Sequence, residues 1–90
     1  MFDATYLHAR RSGAVPRFYF DLVENGRTIP DEDGVELLSL GAARLEAART
    51  AGEMLRDRTQ AKAEPADICL IVRDGSPEPA CSIVVALKIL

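Results

Sequence analysis

The chain has 90 residues, 48% apolar and 28% charged, with a net charge of −3. That length holds one domain, and that composition is an ordinary globular one, which excludes a wholly disordered or fibrous chain. The charge is uneven: residues 1–17 carry Arg10, Arg11 and Arg17 against Asp3, whereas residues 18–90 carry 8 basic and 13 acidic groups, so the body is a poor match for a phosphate backbone.

Residues 1–15 show no sustained period, since Phe2, Tyr6 and Leu7 are scattered among polar residues. The segment reads as a flexible N-terminal arm, or as an extension ahead of a native start at Val15, because valine is how a GTG start codon reads internally. It lacks the apolar stretch of a secretory signal. Arg10 and Arg11, with Tyr6 and His8 nearby, form a basic arm, the one place where RNA or DNA could be held. Residues 16–90 then read as a single α+β domain.

From Arg17 the pattern becomes regular: Phe18, Phe20 and Leu22 alternate with Tyr19, Asp21 and Val23, the period of a strand. Asn25-Gly26 supplies a two-residue hairpin turn, which pairs Val23 with Thr28 and Leu22 with Ile29. Pro30 cannot donate to a ladder, so the second strand is short and lies at an edge. Asp31-Glu32-Asp33-Gly34 reads as a turn, and Val35-Glu36-Leu37 as a short extension.

Ser39 is a helix N-cap, and the helix it opens runs to about Lys62, stopped before Pro65. Glu46, Arg49, Glu53 and Arg56 mark its wet side, while Leu40, Ala43, Ala47, Ala48, Ala51, Met54 and Leu55 form the other. About 23 helical residues span roughly 34 Å against about 23 Å for a seven-residue strand, so the last turns, with Arg56, Asp57, Arg58 and Lys62, are expected to overhang the sheet unless the helix crosses it diagonally.

Residues 67–73 and 80–89 are two more strands, joined by a Gly- and Pro-containing loop that pairs Arg73 with Ala80 and Val72 with Cys81. One face then collects Ile68, Leu70, Val72, Cys81, Ile83, Val85 and Leu87. The expected topology is ββαββ, a four-stranded, mainly antiparallel sheet with one long helix on one face. No stretch reaches the twenty or so apolar residues of a membrane span.

The residues offer little chemistry. The only histidine, His8, lies in the arm, so no Cys–His or Ser–His pair can form within the folded domain. Cys69 and Cys81 fall on opposite faces, too few and too far apart for a zinc site or a mutual disulfide. There is no Gly-rich phosphate loop. Asp31, Glu32, Asp33 and Glu36 are the best cation candidates, but their spacing is not that of a calcium loop, and they read as a solvated turn. Asp21 and Glu24 point to opposite faces and cannot share a proton. We therefore expect no enzyme and no cofactor, but a cytoplasmic chain with free thiols.

The helix covers one face of the sheet only. The other carries Tyr19, Val23, Cys69, Ile71, Val84 and Ala86, interrupted by Asp21, Ser82 and Lys88. A contiguous apolar patch of this kind marks an interface with a second copy or a protein partner, unless the N-terminal arm folds back over it.

Two resemblances bear on this reading. Pro16-Arg17-Phe18-Tyr19-Phe20, Asn25-Gly26, Asp31-Glu32-Asp33-Gly34 and Ala42-Ala43-Arg44 resemble a small bacterial family, frequent in rhizobia and their relatives, whose members begin Pro-Arg-aromatic-Tyr-Phe. That family has no assigned activity, so the resemblance implies a fold and no catalytic residues. Its common members often carry His where Asp21 stands. More remotely, strand–turn–strand followed by an Ala-rich helix is similar to the antitoxin halves of toxin–antitoxin pairs of the HicB type. That likeness implies an alternative role, a nucleic-acid-associated regulator acting through Arg10 and Arg11.

Overall fold

A computed structural model describes residues 15–24, 26–61, 66–88 and 90. Arg10 and Arg11, like the rest of the arm before Val15, lie outside the described residues. Strands β1 (Arg17–Glu24), β2 (Arg27–Ile29) and β3 (Val35–Glu36) precede one helix, α1 (Leu40–Ala61), and strands β4 (Ala66–Arg73) and β5 (Cys81–Leu87) follow it. All pairings are antiparallel, in the order β2-β1-β4-β5, with β3 also on β1.

The hairpin register follows from its turn. Leu22 faces Ile29 and Val23 faces Thr28, with Gly26 at φ 75°, the positive value that such a turn demands. β4 and β5 pair as their alternation requires, Val72 with Cys81 and Cys69 with Val84. The loop between them closes with the Ala80 amide donating to the Val72 carbonyl.

Among the described residues the sheet has five strands rather than four, because residues 35–36 pair with Arg17 and Phe18 of β1 instead of merely extending toward the helix. β2 and β3 are in effect one edge strand broken by residues 30–34. Pro30 withholds a donor at the break, and Gly34, at φ 70°, turns the chain back alongside β1. The Leu37 amide donates to the Pro16 carbonyl and Arg17 pairs with Glu36, which fastens the returned segment.

Helix α1 begins as its cap dictates: the Ala42 amide donates to Ser39 Oγ at 3.2 Å. Ala43, Ala47 and Ala51, at i, i+4 and i+8, lie fully buried against Ile68, Leu70 and Val72 of β4. Side chains this short let the helix sit close over the central strands. Ala48 is exposed rather than part of that stripe, since it lies about 100° around the helix from Ala47. The last turns do not simply overhang: Arg58 pairs with Glu24 at the end of β1 and ties the helix to the hairpin end of the sheet. Phe18, Phe20, Leu22, Ile83 and Val85 complete this side of the core.

Candidate functional site

Opposite the helix, the register sets out the second face in rows. Val23, Cys69 and Val84 stand side by side on β1, β4 and β5. The next row is Asp21, Ile71 and Ser82, and the row beyond it pairs Tyr19 with Arg73. Ala86 follows Val84 along β5, opposite Asp67.

The structure thus brings Val23, Cys69, Ile71, Val84 and Ala86 together and sets Tyr19 apart from them. Val23, Cys69 and Ile71 are half-buried, whereas Val84 is 61% exposed and Ala86 is exposed. Cys69 and Cys81 are free, and they lie on opposite faces of the sheet.

Tyr19 belongs to a polar cluster that sequence reasoning did not assemble. The Arg73 guanidinium lies over its ring, 4.8 Å from the centroid. Arg73 also donates to Asp21, from Nε to Oδ2 at 2.6 Å and from Nη2 to Oδ1 at 3.1 Å, a two-pronged ion pair. Asp21 is only 7% exposed, and its Oδ1 accepts a further bond from the Asp31 amide at 2.9 Å.

Asp31 works on the broken edge strand. Its Oδ2 accepts from the Phe20 amide at 3.1 Å, replacing the ladder carbonyl lost at the break. Its Oδ1 accepts from the amides of Asp33 and Gly34 and holds the turn. Glu36 pairs with Arg17, and an Arg17 Nη1–H donates to the Asp33 carbonyl. Of the four acidic residues of this stretch, Asp31 and Glu36 are thus committed to the fold.

Asp21 and Glu24 serve opposite faces, as their parity requires, Asp21 with Arg73 and Glu24 with Arg58. Arg73 shares its parity with Cys69 and Ile71, so the alternation of β4 was the signal that places it on this face. Its pairing with Asp21 depends on residues 52 apart.

The electrostatics are those of a fastener. The Arg73 guanidinium holds the Asp21 carboxyl below the usual carboxylate range, against the upward push of burial, and the Asp31 amide adds to the lowering. Burial pushes the Asp31 carboxyl up, but the amides of Gly34, Phe20 and Asp33 together outweigh it, so it too lies low. Both groups bind protons more weakly folded than unfolded. Their stabilisation is therefore present above the ordinary aspartate value near pH 4 and is lost as pH falls through their lower folded values. Asp21→Asn should cost about 1–2 kcal/mol at neutral pH and make the acid side of the stability profile shallower, as urea titrations between pH 7 and pH 2 would show. An unchanged acid limb would remove Asp21 from this role.

Comparison with curated proteins and with solved structures finds no match. A family model described as a domain of unknown function (DUF6894) matches residues 17–86, from the first residue of β1 to the penultimate residue of β5. No helix among the described residues is long and apolar enough to cross a membrane. With the match covering every strand and the helix between them, the chain belongs to the DUF6894 family.

Proposed function

We propose that this chain is a small interaction module that acts by contact rather than by catalysis, with the helix-free face of its sheet as the surface that takes a protein partner. The observation that carries this reading is the row Val23, Cys69 and Val84, bordered by Ile71 and Ala86, which α1 leaves uncovered. Apolar groups gathered on one side of a soluble domain gain free energy when a second surface excludes water from them.

The polar groups beside that row favour a structural reading over a reactive one. Asp21 and Arg73 satisfy one another, and the oxygens of Asp31 are engaged by backbone amides. A protein partner fits better than nucleic acid, because residues 18–90 carry an excess of acidic groups. Two free thiols on opposite faces suit a reducing cytoplasm.

Matched affinity captures from the native host test this. The baits are the wild-type chain, Ile71→Lys on the proposed surface, and Glu53→Lys on the exposed side of the helix. A protein retained by the wild type and Glu53→Lys but lost from a folded Ile71→Lys is the expected result. Retention that is the same on all three baits, or no retained protein at all, overturns the proposal.

A further inference from the structure

The two edges of the sheet are built differently. The β2–β3 edge is guarded: its strands are three and two residues long, Pro30 interrupts it, and Arg27, Glu32, Asp33 and Glu36 stud it with charge. These are the devices that keep an edge from pairing with another chain.

The other edge, β5, has none of them. Cys81–Leu87 is seven residues without charge, proline or glycine, rich in β-branched side chains, and among the described residues it is paired on its β4 side only. Every second residue therefore turns a backbone donor and acceptor away from the sheet. The helix-facing side chains tell the same story. On β4 they are 0–2% exposed, whereas Ile83 and Val85 beside them on the edge strand remain half-buried.

We infer that a second copy of this chain pairs with β5, strand to strand and antiparallel, about a two-fold axis near Val84. Identical strands that meet this way form a closed, self-complementary contact. In this register Val84 faces Val84 of the second copy, Ile83 faces its Val85, and Ser82 faces its Ala86. The half-buried Ile83 and Val85 of both copies then meet under the two helices and join the two cores. The charge distribution selects the same edge. A net acidic chain repels its copy along the acidic β2–β3 edge but not along an uncharged strand. Lys88, just past β5, comes toward the loop that carries Glu78 of the second copy. Both helices lie on one side of the extended sheet, so the helix-free faces stay open and adjoin.

Sedimentation equilibrium on the full chain tests it. The wild type should dimerise, and Val84→Lys, which sets two ammonium groups opposite each other, should weaken association at least about tenfold. Val84→Asp should do the same, and mixing the two variants should restore dimers, a gain that misfolding cannot mimic. Ile71→Lys, on the face and away from the edge, should dimerise like the wild type. Amide exchange should show unbroken protection from Ile83 to Leu87 in the dimer and alternating protection on dilution. A wild type that stays monomeric up to about 1 mM, association untouched by Val84→Lys, no rescue on mixing, or loss of the dimer in Ile71→Lys overturns the pairing. The last of these would move self-association to the open face.

Discussion

Gly34→Ala should destabilise the domain by about 2–4 kcal/mol, a large part of what a chain this small holds. Gly34 adopts φ 70°, where a side chain other than hydrogen is strained. The space is also taken: a Cβ there would lie 2.7 Å from Cε2 of Tyr19 and 2.9 Å from the Phe18 carbonyl oxygen. The ring could give way, but the backbone oxygen belongs to the β1–β3 pairing and cannot. Tyr19→Ala in the same chain should therefore recover only part of the loss. Urea unfolding of the two single variants and the double variant measures this. A Gly34→Ala chain within 0.5 kcal/mol or so of the wild type would show that the turn at residues 30–34 is not built as described.

The same turn shows what a sequence conveys and what it withholds. The β1–β2 register was legible because an Asn-Gly loop leaves one pairing and the Phe18, Phe20, Leu22 alternation agrees with it. The β4–β5 register was legible for the same reason, two alternating runs and a loop that closes only one way. Ser39 announced the helix by its side-chain oxygen. β3 was not legible as a strand, because two residues display no period and only Gly34 and the Asp31 turn bring them back to β1. Ala48 falls outside the buried helix stripe, and the sequence does not mark it off because alanines give little contrast between the two sides.

The candidate site was legible by halves. Parity alone placed Val23, Cys69, Ile71, Val84 and Ala86 on one face. Tyr19 shares that parity, yet Arg73 and Gly34 draw it into the polar cluster. Asp21 looked like an interruption of an apolar surface. It is the anchor of a network with Arg73 and Asp31, and its function there depends on strands that meet only in the fold. The contrast between a guarded edge at β2–β3 and an open one at β5 was likewise invisible until the strand order was known.

The two faces of the sheet differ in what covers them: α1 packs over one, and the apolar row on the other lies outside its cover. Leu70 and Ile71 are neighbours on β4 that point to opposite sides, Leu70 into the core at 2% exposure and Ile71 onto the open face. A domain of this size holds roughly 4–10 kcal/mol in total. Leu70→Lys forfeits about 2–3 kcal/mol of apolar burial and adds the cost of an unpaired buried ammonium, enough to unfold it. Ile71→Lys keeps its stem on the sheet and its charge in water, next to Asp21, and should cost no more than about 1 kcal/mol. Far-ultraviolet circular dichroism with urea titration of these two variants is the direct measurement. Leu70→Lys should be unfolded, and Ile71→Lys should fold cooperatively. If Ile71→Lys unfolds as readily as Leu70→Lys, both faces are core and the open surface has no separate role.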